Sequence, residues 1–141
     1  MIAVAVLLAA GTTAAVVFTG EDNAPTTFTI SGTGRVKYAG NPFEYDGTLC
    51  EVPDGYGDIP GAQVVVTAPT GRVIATGNLS AVGVNRPGSI DGIPAASCEF
   101  AIDSAAVPEG HDFYGVEVSH RGRVQYTRDQ LRTPIMLTLG N

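Results

Sequence analysis

Tryptophan is absent from the 141-residue sequence, and lysine, cysteine and histidine are rare, with one, two and two residues respectively. The two cysteines and two histidines lie far apart, without the close ligand pairs that are typical of a zinc site. No serine lies in a nucleophile elbow, and neither cysteine has a nearby histidine and acid. We therefore expect a protein that is not an enzyme and that has no cofactor and no bound metal.

Long helical patterns are also missing. The chain contains 18 Gly and 9 Pro, and it has no run of Glu, Lys, Ala and Leu at helical spacing in its polar part. Short alternating apolar runs separated by turn residues are typical of β-sandwiches. We predict an all-β domain of about seven strands in two packed sheets, preceded by an N-terminal hydrophobic helix.

The alternation of apolar and polar residues places the strands. It predicts strands at 28–38, 63–67, 72–76, 98–102 and 135–139, and a hairpin over 113–126 that turns at Arg121 and Gly122. On the hairpin the predicted inward residues are Tyr114, Val116, Val118, His120, Val124 and Tyr126. Residues 39–61 and 80–96, which are rich in Gly, Pro and polar residues, are predicted loops, and residues 107–110 are a predicted turn.

The N-terminal residues 2–19 contain no charged side chain. A helix of this length approaches the ~30 Å thickness of the bilayer hydrocarbon. We predict a transmembrane anchor or signal segment at 1–20, a linker at 21–27 and the β-sandwich domain at 28–141. The lack of an Ala-x-Ala site before Glu21 favours an uncleaved anchor over a cleaved signal. A signal peptide normally begins with a basic region, and none precedes residues 2–19, so the sequence does not decide where the natural chain starts.

The two cysteines are Cys50 and Cys98. An even pair in an exported β-rich domain is more often a disulfide than two free thiols, so we predict a Cys50–Cys98 bond. This bond places the domain outside the cytoplasm, either membrane-anchored or secreted.

The charge balance is acidic overall but locally basic. Fourteen acidic and eight basic residues give a net charge of −6, which opposes binding to nucleic acid. Four arginines nevertheless fall within twelve residues after His120, and we treat this group as a candidate ligand-contact patch: His120, Arg121, Arg123, Arg128 and Arg132. The alternative is that these arginines keep a hairpin soluble and pair with nearby carboxylates.

A second candidate site lies in the first predicted loop. Asp54, Asp58 and the carbonyl groups between them are oxygen ligands of the kind that calcium prefers. Their spacing differs from that of the twelve-residue calcium loop, and turn formation explains Asp and Gly there more simply.

The order of features from Gly61 onward resembles the prealbumin-like sandwiches, namely the carboxypeptidase regulatory-like and collagen-adhesin B-type repeats. The shared elements are the segments 61–66, 70–73, 98–100, 107–110 and 114–116. More narrowly, the segments 55–59 and 113–122 with the two cysteines are similar to a group of small exported actinobacterial proteins of undefined activity. The resemblance implies a prealbumin-like or immunoglobulin-like sandwich and export, and it implies no reaction.

Two functional hypotheses follow. The first is a non-enzymatic module of the cell envelope that is tethered to the membrane through residues 2–19 and binds an envelope protein, a glycan or an anionic lipid. The second is a structural or accessory domain without a ligand. A hydrolytic enzyme is a third class, but no constellation in the sequence supports it.

Overall fold

The fold is all-β in a computed structural model that describes residues 26–38, 49–103 and 105–140. The strands in this part of the chain are β1 (Thr27–Ile30), β2 (Gly32–Tyr38), β3 (Leu49–Cys50), β4 (Gln63–Thr67), β5 (Val73–Asn78), β6 (Gly83–Ile90), β7 (Ile93–Ala101), β8 (Ala105–Pro108), β9 (Phe113–Val118), β10 (Arg123–Thr127) and β11 (Ile135–Thr138). One helical turn, α1 (Arg128–Leu131), interrupts them.

The predicted N-terminal segment at 1–20 and most of the predicted linker lie outside the described residues. Within the described ranges, no helix has the length and apolar character needed to cross a membrane.

The strands form three sheets. A four-stranded sheet has the order β10-β9-β4-β5, and a five-stranded sheet has the order β11-β2-β7-β6-β3. A small sheet pairs β1 with β8. Every strand pair is antiparallel except β11 with β2, which run parallel.

The two larger sheets bury their inner faces in one core, which gives a sandwich-type architecture. The largest side chains that are fully buried there are Tyr114, Phe100, Ile30, Ile59, Leu79 and Leu131. The predicted alternation is confirmed on several strands: Cys98 and Phe100 face the core from β7, whereas Glu99 between them lies toward solvent. Burial of such side chains, at about 25 cal/mol per Å² of apolar surface, is the main force that holds the sheets together.

The predicted loop at 80–96 is wrong from Gly83 onward. Residues 83–90 form β6 and residues 93–96 form the start of β7, and the two strands pair as a hairpin around Asp91 and Gly92. Both turn residues have positive φ angles, 50° and 82°, and Asp-Gly favours such a two-residue turn. The domain therefore has more than the seven strands expected, since the described residues alone form eleven.

The predicted first strand at 28–38 is broken at Ser31 into β1 and β2. Gly32 has a φ of 143°, and a Cβ atom there would lie 2.0 Å from the carbonyl oxygen of Ile135. The break is required because β1 pairs with β8 whereas β2 pairs with β7 and β11. The predicted turn at 107–110 is likewise corrected, because Val107 is a buried residue of β8.

The predicted disulfide is present and joins Cys50 of β3 to Cys98 of β7, with the Cα atoms 5.8 Å apart. These strands are not neighbours, because β6 lies between them. Gly83 of β6 pairs with Cys50, and a Cβ atom on Gly83 would lie 2.5 Å from the Sγ atom of Cys98. The bond thus passes over the middle strand at a position where only glycine leaves enough room.

Candidate functional site

The tip of the β9–β10 hairpin is a four-residue loop at 119–122. Ser119, His120 and Gly122 have positive φ angles of 48°, 58° and 97°. This geometry turns His120 away from the core, so its predicted inward position is wrong: its side chain is 98% exposed, with Nδ1 3.4 Å from an oxygen of Glu117. Val124 is also more exposed than predicted, because β10 is the edge strand of its sheet.

Arg121 at this tip is bound to the loop that precedes β4. Its Nε donates to Oδ2 of Asp58 at 3.0 Å, and its Nη2 donates to Oδ1 of Asp58 and, at 2.7 Å, to the carbonyl oxygen of Gly55. The guanidinium also lies 4.6 Å from the ring centre of Tyr56. The hydrogen bonds from Arg121 and Ser119 hold the pKa of Asp58 well below its usual range. Both carboxylate oxygens of Asp58 thus accept hydrogen bonds from the hairpin tip, which is a role that neither the calcium hypothesis nor turn formation predicts.

Arg128 and Arg132 converge on a different carboxylate. Oε1 of Glu109 accepts from Nη2 of Arg128 at 2.9 Å and from Nη2 of Arg132, and its Oε2 accepts from Thr26 at 3.1 Å. Partial desolvation acts to raise the pKa of Glu109, but these hydrogen bonds and the two positive charges outweigh it and lower the pKa. The group connects α1 with the start of β1.

Arg123 lies near a third carboxylate, with its Nε 3.8 Å from Oε2 of Glu117. The four arginines of the candidate patch therefore face three separate carboxylates and do not form one continuous cationic surface. This arrangement agrees with the alternative stated for the sequence, in which the arginines pair with nearby acids.

Two concave regions adjoin each other along β9 and β10, and we call them together the β9–β10 surface. A cleft of about 460 Å³ lies between the loop before β9 and the start of α1, and its lining residues are Gly110, His111, Asp112, Thr127, Arg128 and Asp129. A groove of about 110 Å³ continues from it over the outer face of the sheet, and its lining residues include Phe113, Gly115, Arg123 and Gln125. The two regions meet at Thr127 and Phe113, which are paired across the strands.

Local structure positions these side chains. Gly115 leaves its site on the sheet open, and Arg123 lies across it, since a Cβ atom there would be 2.5 Å from Cδ of Arg123. The hydroxyl of Tyr114 donates to the carbonyl oxygen of Pro108 at 3.1 Å and accepts from the backbone N–H of His111, which fixes one wall of the cleft. Thr127 caps α1 by accepting from the N–H of Gln130, which fixes the other wall.

Of the predicted patch, Arg123 and Arg128 lie on the β9–β10 surface, whereas Arg121 is held by Asp58. The acidic and aromatic members, Asp112, Asp129 and Phe113, were not singled out from the sequence. Phe113 carried a usable signal, since it has the outward parity on its strand and is 52% exposed. Asp112 and Asp129 line the same cleft because of the register between β9 and β10, and no local sequence pattern predicts that they lie close together.

Within the described ranges, no group of three or more His, Cys, Asp or Glu side chains is placed to hold a metal ion. No protein-family model, no curated protein and no solved structure matches the chain. The fold and the bond between Cys50 and Cys98 thus define the class: an all-β, disulfide-bonded protein of sandwich type.

Proposed function

We propose that the protein is a non-enzymatic, extracytoplasmic module of the cell envelope that binds a glycan through the β9–β10 surface. It is membrane-anchored through residues 2–19 or secreted, and its sandwich is of the prealbumin-like or immunoglobulin-like kind. The observation that carries the proposal is that two adjoining concave regions combine an exposed aromatic ring with acidic and basic side chains.

The chemistry of the surface favours a sugar over an anionic lipid or a protein. Sugar hydroxyl groups both donate and accept hydrogen bonds, and they fit a site that mixes carboxylates with arginines. Asp112, Asp129 and Arg128 provide such groups in the cleft. Phe113, at the boundary with the groove, offers a flat apolar face for the C–H face of a sugar ring.

An anionic lipid surface is less suitable, because the carboxylates in the cleft would repel it and the domain is acidic. A protein partner would require a larger apolar centre than Phe113 provides together with Ala68 and Pro69 of the groove. The disulfide supports the extracytoplasmic part of the proposal, since such bonds persist in oxidising compartments.

The test is co-sedimentation of the purified protein with insoluble cell-wall polysaccharide and titration with its soluble fragments. We expect Phe113→Ala and Asp112→Asn to weaken binding, each by about tenfold or more, because each removes a contact that a bound sugar would make. Asp91→Asn is the matched control, since Asp91 is an exposed acid in the β6–β7 turn and lines neither the cleft nor the groove. Equal binding by Phe113→Ala, Asp112→Asn and Asp91→Asn would reject the β9–β10 surface as the site.

The second candidate is a structural domain without a ligand. The observation that favours it is the pairing of the arginines with Asp58, Glu109 and Glu117, which uses the polar side chains within the domain. Absence of binding to polysaccharide, membranes and envelope proteins by the wild-type protein would favour this candidate.

A further inference from the structure

A second basic cluster lies on the outer face of the five-stranded sheet, away from the β9–β10 surface. Arg35 and Lys37 alternate on β2 with Val36, which is fully buried in the core. Lys37 is paired with Ser97 of β7, and Ser97 is paired with Arg86 of β6. The register therefore places Arg35 and Lys37 of β2 and Arg86 of β6 on one face of the sheet, on either side of β7.

This face is cationic, although the protein as a whole is acidic. The one acidic residue among those that line the small cavity there is Glu99, which is paired in register with Arg35. Oε2 of Glu99 lies 3.8 Å from Nε of Arg86. Among the described residues of this cluster, three basic side chains against one carboxylate give an excess of two positive charges, on a chain of net charge −6.

Arg35 has an unsatisfied donor in this cluster. Its Nε is buried and has no hydrogen-bond partner, and within the described residues neither Arg35 nor Lys37 forms an ion pair. A buried donor of a charged group is normally paired, because its desolvation otherwise costs free energy. The cavity lined by Arg35, Lys37, Ser97 and Glu99 has a volume of about 50 Å³. A water molecule needs about 10–15 Å³ of volume measured in this way, so the cavity has room for a few water molecules or for one small polar group.

We propose that Arg35, Lys37 and Arg86 form a binding site for a carboxylate group. A carboxylate has only three heavy atoms, and it accepts two parallel hydrogen bonds from the Nε and Nη groups of one arginine. In the proposed complex, the Nε–H group of Arg35, which has no partner among the described residues, donates the first of these bonds. Lys37, which lines the cavity, and Arg86, which is paired in register with the lining residue Ser97, are both exposed and add positive charge.

The carboxylate can belong to a free small acid or to an acidic residue of a peptide, and the experiment distinguishes the two. The arginine Nε–H resonances of the full chain are followed by ¹H–¹⁵N NMR during titration with acetate, with a short glutamate-containing peptide and with inorganic phosphate. We expect a saturable shift of the Arg35 resonance with acetate and with the peptide, tighter for the peptide if a chain is the natural ligand. The Arg72 resonance, from an exposed arginine elsewhere, serves as the internal control.

Variants test the two exposed basic residues, Lys37 and Arg86, and the neighbouring carboxylate of Glu99. Lys37→Gln and Arg86→Gln are each expected to weaken carboxylate binding about two- to fivefold, the range of a single exposed charge, and Arg72→Gln is expected to leave it unchanged. Glu99→Gln is expected to strengthen binding, because it removes a neighbouring negative charge. The proposal is overturned if phosphate saturates the site more tightly than acetate, or if the Arg35 and Arg72 resonances shift alike. It is also overturned if Glu99→Gln alone moves the Arg35 resonance as far as acetate does, since Glu99 would then be the partner of Arg35.

Discussion

Arg121 and Asp58 are 63 residues apart in sequence and form a two-point ion pair between the tip of the β9–β10 hairpin and the loop before β4. Ser119 adds a hydrogen bond of 2.5 Å to the same carboxylate. The loop has no strand or helix of its own between residues 51 and 62. The hairpin tip therefore holds in place a segment that lacks the backbone hydrogen-bond ladder of a sheet.

Replacement of Asp58 by Asn is expected to lower the free energy of unfolding by about 1 kcal/mol at pH 7, the upper end of the range for exposed pairs. The loss is no larger because the Asp58 side chain is 41% exposed and solvent screens its charge. Urea denaturation measures the change. Asp54→Asn is the control, since Asp54 lies in the same loop and forms no ion pair within the described residues. An equal loss in both variants would contradict a specific role of Asp58.

The same pair predicts a pH dependence. The pKa of Asp58 is lower in the folded protein than in the unfolded chain, where it is near 3.9. Its contribution to stability is therefore fully present above about pH 4 and is lost as the pH falls toward the folded pKa. The difference in unfolding free energy between the wild type and Asp58→Asn should shrink below about pH 4, and a difference that stays constant to pH 2 would refute this assignment.

Gly83→Ala is expected to destabilise the oxidised protein by about 1–3 kcal/mol, the usual cost of overpacking a core. The added Cβ would lie 2.5 Å from Sγ of Cys98 and 2.7 Å from Cζ of Phe100. Gly88→Ala is the matched control on the same strand, because a Cβ there meets nothing within 4 Å. Thermal unfolding of both variants measures the difference, and similar midpoints would show that the strand shifts to make room.

Removal of the disulfide in a Cys50→Ala/Cys98→Ala variant is expected to lower the unfolding free energy by about 2–4 kcal/mol. The bond spans 48 residues of sequence and so restricts a large part of the unfolded chain. Guanidinium denaturation of the wild type with and without reductant, beside this variant, measures the effect. If the reduced wild type were as stable as the oxidised protein, the constraint on the unfolded chain would be negligible.

Glu109→Gln is expected to loosen the β1–β8 pair, because Glu109 links Arg128 and Arg132 to Thr26 at the start of β1. The measurement is hydrogen exchange of the backbone amides of Phe28 and Val107, which are paired across the two strands. We expect faster exchange in the variant, and a smaller difference in 1 M salt, where the ion pairs are screened. Asp112→Asn, at a nearby exposed acid, should leave the exchange unchanged.

Much of the core could be predicted from the sequence. The strand at Gln63–Thr67 has the bounds that alternation predicts, and Cys98 lies on the inward face of its strand as expected. These segments put apolar residues at every second position against a buried sheet, so the local pattern and the tertiary environment agree.

β6 could not be recognised by the same rule. Its sequence, from Gly83 to Ile90, contains Pro87 and several small or polar residues, which normally indicate a loop. Such a strand is tolerated because β3 pairs with it only at Gly83 and Val84, so the remaining residues need a partner on one side only within the described part of the sheet. The Asp91-Gly92 turn was the local signal that could have identified the hairpin.

The arginine cluster illustrates a different limit. Its members are close in sequence, but Asp58 is 63 residues from Arg121. Glu109 is 19 residues from Arg128 and 23 residues from Arg132, so only the fold brings these partners together. Sequence proximity therefore predicted one basic surface where the fold distributes the charges among separate acids. The basic cluster around Arg35 was hidden for the opposite reason, since its members come from β2 and β6.

The parallel pairing of β11 with β2 has a consequence for the order of folding. Ile135 is paired with Gly32, 103 residues earlier in the chain (135 − 32). Closing so long a loop is entropically costly, and pairings of this kind slow folding. During synthesis, β11, which is the outer neighbour of β2 in the sheet, is made about a hundred residues after β2. An unpaired β2 edge is therefore exposed for most of that time, and this is the interval in which the chain is most open to strand pairing with other molecules.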